Sequence, residues 1–113
     1  MNKFERGQAP QPSSYERIEE LYKDAKSYLL VDRPDEPVTI GLKGISAYKI
    51  SHQPDEEVYI ITDIDKELSH VLTPEGLVRI HTEKGAIDIQ KEQQEASASD
   101  FVNEVIESVY QTA

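Results

Sequence analysis

The chain has 113 residues, enough for one domain with one modest core and too few for two. Its formal net charge is −10, from 12 basic and 22 acidic residues, which disfavours general binding to nucleic acid or to anionic lipid. The absence of cysteine excludes a disulfide framework, a thiolate metal site and a cysteine nucleophile.

Residues 1–12 are predicted to form a flexible leader, because Gly7, Pro10 and Pro12 interrupt regular structure. The leader has no apolar run of the kind found in a signal peptide, and no stretch of the chain approaches the ~20 apolar residues of a membrane span. We therefore expect a cytoplasmic protein with a single domain over residues 13–113.

The first predicted element is a helix over residues 14–30. Ser13 and Glu16 have capping-box spacing, and prolines 34 and 37 are expected to end the helix. Apolar residues then recur at alternating steps of three and four, which predicts one buried stripe: Tyr15, Ile18, Tyr22, Ala25 and Leu29. In particular, Tyr22 and Leu29 are expected to face inward while Glu20 and Lys23 stay exposed.

The middle of the chain alternates apolar and polar residues in short runs separated by turn residues, which predicts strands. These runs are 38–42, 44–50, 58–62, 68–72, 77–82 and 86–90. Turns are predicted at Lys43-Gly44, at 52–56, at 73–76 as type I, and at 83–85 as a three-residue hairpin loop. Because such short connections join antiparallel neighbours, the strands should form a meander of five or six.

The alternation also predicts which strand residues enter the core. The expected core residues are Ile40, Tyr48, Ile50, Ile60, Val78, Ile80, Ile87 and Ile89. The residues expected to face water are Thr39, Lys49, Arg79, His81 and Asp88.

After a polar linker over residues 91–96, a second helix is predicted to begin near Ser97 or Ser99. Ser97 and Asp100 have the spacing of a helix cap. The apolar face of this helix is formed by Val102, Val105, Ile106 and Val109, with Phe101 and Tyr110 at its edges. The order of elements indicates an α+β fold, with an N-terminal helix, an antiparallel meander, and a C-terminal helix, both helices covering one face of the sheet.

Two sets of residues have side chains that could hold a metal ion. His70 and His81 fall on strands joined by a turn, so as cross-strand neighbours they could bind Zn²⁺. Asp63 and Asp65, with Glu67 two residues on, could hold Ca²⁺ or Mg²⁺ in a loop, but the EF-hand pattern is absent. We favour ordinary surface histidines and a solvated turn, and we expect neither a metal nor another cofactor.

The chain has no phosphate-binding glycine loop and no nucleophile elbow, so no catalytic residue is assigned. Its acidic residues cluster in two segments, and they are the predicted partner-binding residues: Glu56, Glu57, Asp63, Asp65, Glu67, Asp100, Glu104 and Glu107. If the second helix lies near the Asp63 loop, these side chains form one negative field that steers a basic partner.

The sequence thus favours a small non-enzymatic protein-binding module such as an adaptor, an inhibitor, an immunity protein or a chaperone-like protein, including one encoded by a phage. We expect its partner to be a protein with a basic surface, with no direct contact to nucleic acid or membrane, and the chain to be a monomer or homodimer. The alternative is a small ligand-binding domain or enzyme that uses carboxylate and histidine groups in a curled sheet. A third hypothesis is mimicry of nucleic-acid phosphates by ordered carboxylates.

Overall fold

The computed structural model describes residues 13–30, 36–41 and 47–110. It contains two helices, six strands and a short 3₁₀ turn: α1 (Ser14–Tyr28), β1 (Val38–Gly41), β2 (Ala47–Gln53), β3 (Val58–Asp63), β4 (Leu68–Thr73), β5 (Gly76–Thr82), β6 (Gly85–Asp88), the 3₁₀ turn (Lys91–Gln93) and α2 (Gln94–Tyr110). The predicted α+β class is confirmed. The leader, Pro34 and the Lys43-Gly44 connection lie outside the described residues.

The six strands form one sheet in the order of the sequence, and every neighbouring pair is antiparallel. The predicted meander is therefore confirmed at its upper number of strands. One hairpin differs in detail, because Thr82 pairs with Gly85 and leaves only two residues, Glu83 and Lys84, in the loop. The ladder also shifts register beside Val71 and Leu72, which is a β-bulge where β5 has one extra residue.

Both helices pack on the same face of the sheet, and the core lies between them and the strands. The buried hydrophobic residues are Ile18, Leu21, Tyr22, Ala25, Val38, Tyr48, Ile50, Tyr59, Ile61, Leu72, Leu77, Ala98, Val102 and Val105. Tyr59 is central to this layer, because its ring packs edge-on against Tyr15 at 5.1 Å and Tyr22 at 5.4 Å between centroids. All five strand residues predicted to face water are exposed.

The predicted core is confirmed at Tyr48 and Ile50, and Ile40, Ile80 and Ile89 pack against it while partly buried. The prediction for β3 is wrong: Ile60 is only half-buried, whereas Tyr59 and Ile61 are 1% and 0% exposed. Residues 58–62 include adjacent apolar residues, so their alternation does not decide which set points inward. The register of β3 with β2 and β4 determines that Tyr59 and Ile61 point inward.

Two further core predictions are corrected by the position of β6 at the sheet edge and by the bulge. Ile87 is 55% exposed because β6 pairs on one side only. Val78 is half-buried, and its neighbour Leu77 takes the buried position at 2% exposure. The extra residue that the bulge inserts in β5 changes which side chains of that strand point into the core.

Helix α1 begins as predicted. The Ser13 amide donates to Glu16 Oε1 at 2.9 Å, and the Glu16 amide donates to Ser13 Oγ at 3.2 Å, which is the capping box. The inward orientation of Tyr22 is confirmed, as is the exposure of Glu20 and Lys23.

The prediction that Leu29 faces inward is wrong, because its side chain is 45% exposed. The helix ends at Tyr28, and Leu29 is its C-cap. Leu30 then has a φ of 58°, in the left-handed region that commonly ends helices. Leu29 therefore leaves the helical stripe that the spacing assigned to it.

Helix α2 begins at Gln94, earlier than predicted, so Ser97 lies inside the helix and Ser97 with Asp100 does not cap it. The residues predicted as linker instead form the 3₁₀ turn and the first turn of the helix. The Gln94 side-chain amide donates to the Ile89 carbonyl at 3.2 Å, tying the helix start to the end of the sheet. None of the helices in the described ranges combines the length and apolar character that a membrane span requires.

The two helices, at opposite ends of the described chain, are joined by side-chain hydrogen bonds. Ser14 Oγ donates to Glu95 Oε1 at 2.9 Å, and Arg17 Nη2 donates to Asn103 Oδ1 at 2.6 Å. These contacts hold α1 beside α2 over the sheet and so help to fix the position of α2, which carries part of the candidate site.

Candidate acidic cleft between the sheet and the second helix

A cleft of about 330 Å³ opens between α2 and the helix-covered face of the sheet. We call it the acidic cleft, and its lining residues are Asp63, Lys66, Leu68, His70, Leu77, Ile80, Ile89, Ser97, Asp100, Phe101 and Glu104. The strands contribute its apolar floor, the end of β3 contributes Asp63, the β3–β4 turn contributes Lys66, and α2 forms the opposite wall.

The spacing along α2 explains why polar and aromatic groups share this wall. Ser97, Asp100, Phe101 and Glu104 lie three or four residues apart, so they occupy neighbouring turns of one helix face. Asp100 and Glu104 are four residues apart and carry the same charge, a pairing that mildly destabilises an isolated helix. The fold therefore tolerates a small repulsion at the mouth of the cleft.

Asp63 is a buried carboxylate at the end of β3, with 3% of its surface exposed. Its Oδ1 accepts a hydrogen bond from the Lys66 amide at 3.1 Å, which stabilises the β3–β4 turn. Within the described part of the chain, its other oxygen, Oδ2, has no hydrogen-bond donor. A buried carboxylate oxygen without a donor is costly, so this oxygen favours a ligand that supplies a donor or a positive charge.

His70 is also buried, at 7% exposure, and it lines the cleft from β4. Its ring stacks on Phe101 with centroids 3.8 Å apart and an interplanar angle of 15°. Its Nδ1 lies 3.3 Å from the Ile61 carbonyl oxygen. The stack joins the sheet to α2 and gives the cleft a flat aromatic wall.

Burial lowers the pKa of His70 below its ordinary value of 6.5, because the charged imidazolium loses hydration. The Ile61 carbonyl and the negative charges of Asp63 and Glu104 oppose this shift, while Lys66 adds to it. The imidazole is therefore predominantly neutral at pH 7 and contributes no positive charge to the cleft.

Of the residues that the structure describes, three carboxylates and one ammonium group line the cleft, a net charge of −2. Lys66 Nζ lies 4.0 Å from Glu104 Oε1, and both side chains remain about half exposed or more, at 64% and 49%. Such a pair contributes only ~0–1 kcal/mol. Asp100 forms no ion pair with any residue in the described ranges, so a cation entering the cleft finds the carboxylates of Asp100 and Glu104 weakly held.

The structure divides the predicted partner-binding residues into two groups. Six belong to the two segments that border the acidic cleft: Asp63, Asp100 and Glu104 line it, Asp65 and Glu67 are exposed in the turn that carries Lys66, and Glu107 is exposed three residues beyond Glu104. The proximity of α2 to the Asp63 loop, on which the single negative field depended, is therefore present.

Glu56 and Glu57 are not part of this group. They are exposed in the β2–β3 turn, at the opposite end of β3 from Asp63. Six strand residues separate the two ends, a length of roughly 20 Å at ~3.3 Å per residue. Glu57 instead lies near Tyr15, where burial of the phenol and the charge of Glu19 raise its pKa and the charge of Glu57 adds to the shift.

The two histidines considered for zinc lie on opposite faces of the sheet. His70 pairs with Ile80 and is buried under α2, whereas His81 pairs with Ser69 and is exposed. The expectation of an ordinary surface histidine is therefore confirmed at His81 and wrong at His70, whose strand position points under the helix. Asp63 and Asp65 also differ in their surroundings, since Asp63 is buried and Asp65 is exposed. Across the part of the chain that the structure describes, no group of three or more metal-binding side chains is close enough to hold one ion.

Sequence reasoning missed the floor of the cleft and its aromatic wall. The signal for His70 was the alternation Leu68, His70, Leu72, which places the histidine on the same strand face as two leucines. Phe101 was placed only at the edge of the α2 stripe, and nothing local indicated its stacking partner. Pairing these residues requires the register of β4 and the crossing of α2.

Chemically, the cleft combines an apolar floor, an aromatic wall and a rim of carboxylates, which suits an amphipathic cation. No protein-family model matches the chain, and comparisons with curated proteins and with solved structures return no match. The residues of the cleft are therefore the features of the molecule that point to a function.

Proposed function

We propose that this protein is a non-enzymatic protein-binding module that binds the basic surface of another protein through the acidic cleft and the carboxylates around it. The observation that carries the proposal is that two acidic segments, distant in sequence, meet at one cleft with an apolar floor, where Asp63, Asp100 and Glu104 line it. This surface suits the role of a cytoplasmic adaptor, an inhibitor, an immunity protein or a chaperone-like protein.

The acidic residues of α2 slightly destabilise their own helix, and this supports the proposal. Asp100 and Glu104 repel each other along α2. Glu107 lies in the last turn of α2, where the helix dipole disfavours a negative charge, and no basic residue lies in that turn. Acidic residues that do not stabilise their own helix are well suited to stabilise a complex, and their field also accelerates encounter with a positive partner.

The test compares two triple variants that each remove three negative charges. Asp100→Asn, Glu104→Gln and Glu107→Gln alter the surface beside the cleft. Asp55→Asn, Glu56→Gln and Glu57→Gln alter the exposed β2–β3 turn and keep the same net charge. Both proteins are immobilised beside the wild type, and a stoichiometric partner is captured from source lysate and quantified.

We expect the α2 variant to lose at least about tenfold in apparent affinity, since each lost charge pair at an interface costs affinity and slows association, and the turn variant to stay within about twofold. Binding by the wild type should weaken as salt rises. Equal losses in both variants would contradict the proposal, because they would mean that net charge alone governs binding.

A second candidate function is the binding or conversion of a small molecule, and the cleft favours it by placing Asp63 beside His70. Its volume of about 330 Å³ is at the lower end of the ~300–1,000 Å³ range of ligand sites. A metabolite that raises the melting temperature of the wild type but not of His70→Gln, in a protein that captures no partner, would favour this candidate.

A further inference from the structure

We propose that the acidic cleft binds one arginine side chain of the partner protein. This inference rests on the proposed function and specifies the chemistry that the cleft recognises. The occupant would lay its aliphatic stem on the apolar floor and direct its guanidinium group to the carboxylates of Asp63, Asp100 and Glu104.

The oxygen atoms available in the cleft match a donor with several N–H groups. Asp63 Oδ2 is buried and has no donor within the described residues, while its Oδ1 is already used by the Lys66 amide. Asp100 and Glu104 offer two further carboxylates on successive turns of α2. A guanidinium group carries five N–H donors in a planar fork, so one side chain can bond to carboxylates on both sides of the cleft.

The walls of the cleft favour arginine over lysine. The floor is formed by Leu68, Leu77, Ile80 and Ile89, and one wall is the stacked pair of His70 and Phe101. A guanidinium group is weakly hydrated and packs on aromatic surfaces, whereas an ammonium group is strongly hydrated and loses more on entering such a site. The neutral state of His70 adds no repulsion toward either cation.

Among the described residues, Lys66 is the one positive charge that lines the cleft, and it competes with the occupant for Glu104. Its contact with Glu104 is long, at 4.0 Å, and solvent-exposed, so an entering guanidinium group can replace it at small cost. Removing this competitor should therefore tighten binding, which a purely structural role of Lys66 would not produce.

The experiment titrates the full-length ¹⁵N-labelled protein with Nα-acetyl-arginine amide and follows amide chemical shifts. Nα-acetyl-lysine amide serves as the charge-matched probe, and Nα-acetyl-citrulline amide as the neutral probe of the same shape. We expect the arginine probe to shift amides around His70, Leu77 and Phe101 with a Kd of about millimolar, as its few atoms allow. The lysine probe should bind at least about threefold more weakly, and the citrulline probe should cause no saturable shift.

Variants assign the effect to the cleft. Asp100→Asn should weaken binding of the arginine probe several-fold, Lys66→Met should tighten it about two- to fivefold, and the control Glu56→Gln should leave it unchanged. Equal affinity for the arginine and lysine probes, or shifts confined to the β2–β3 turn, would overturn the proposal.

The outcomes also separate this inference from the function on which it rests. If the arginine probe does not bind but partner capture still depends on Asp100, Glu104 and Glu107, the arginine assignment is wrong and the protein-binding function stands. If capture is also insensitive to those residues, both proposals fail.

Discussion

Replacing Gly76 with alanine should destabilise the protein far more than the same replacement at Gly85. Both glycines adopt positive φ angles, 128° and 131°, and both begin a strand after a tight turn. They differ in their surroundings. A Cβ at Gly76 would lie 2.6 Å from the carbonyl carbon of Gln94 and 2.8 Å from the amide nitrogen of Glu95, whereas a Cβ at Gly85 would meet nothing within 4 Å.

Comparing the alanine variants of Gly76 and Gly85 separates the effect of backbone strain from the effect of steric overlap. An alanine at such a φ costs ~1–3 kcal/mol at either position. At Gly76 the overlapping atoms belong to the backbone of α2 and cannot rotate away, so the helix start must move off the sheet, which adds ~1–3 kcal/mol. We therefore expect the free energy of unfolding to fall by ~2–6 kcal/mol for Gly76→Ala and ~1–3 kcal/mol for Gly85→Ala.

Urea unfolding followed by far-UV circular dichroism measures this difference. With a slope of about 2 kcal/mol per molar urea, a difference of 2 kcal/mol separates the two midpoints by about 1 M. A displaced α2 should also perturb the amide shifts of Asp100 and Phe101 in Gly76→Ala only. Equal midpoints for the two variants would refute the close packing of α2 on the β4–β5 turn.

Three more predictions concern stability and pH. Ile18→Ala should lower the free energy of unfolding by ~2–5 kcal/mol because Ile18 is fully buried, whereas Leu29→Ala should cost less than ~1 kcal/mol, and urea midpoints that reverse this order would contradict the fold. Asp100→Asn should leave the melting temperature unchanged or slightly higher at low salt, since it removes a repulsion with Glu104, and a clear loss of stability would assign Asp100 a structural role. Finally, because the pKa of His70 is lowered in the folded protein, the unfolded state binds the extra proton below pH ~6.5. Stability should thus fall as pH falls from 6.5 toward the folded pKa, and His70→Gln should remove part of that fall in urea midpoints measured from pH 7 to pH 5.

The parts of the fold that local patterns determine were predictable from the sequence. The capping box of α1, the six strands and their antiparallel order follow from spacing and turn residues that lie within a few positions of one another. The errors fall where a local pattern has two solutions. At β3, Ile60 and Ile61 are adjacent and equally apolar, so only pairing with β2 and β4 selects Ile61 for the core. At Leu29 the helical stripe ends because the chain turns at Leu30.

The candidate site was predictable only in part, for a related reason. Counting charges identified the acidic residues, but the separation of Glu56 and Glu57 from the rest depends on which end of β3 each turn occupies. The stack of His70 on Phe101 joins residues that are 31 positions apart. Such a contact has no local signature, because it requires both the strand register and the path of α2 across the sheet.

The uninterrupted order of the strands has a consequence for the kinetics of folding. Each described turn from β2 to β6 brings adjacent strands together after closing only a short loop, which costs little chain entropy. Contacts between the helices instead span most of the chain, as Ser14 with Glu95 and Arg17 with Asn103 show. The meander can therefore assemble by successive hairpins before α1 reaches α2, and substitutions at the helix–helix contact should mainly accelerate unfolding and leave the folding rate nearly unchanged.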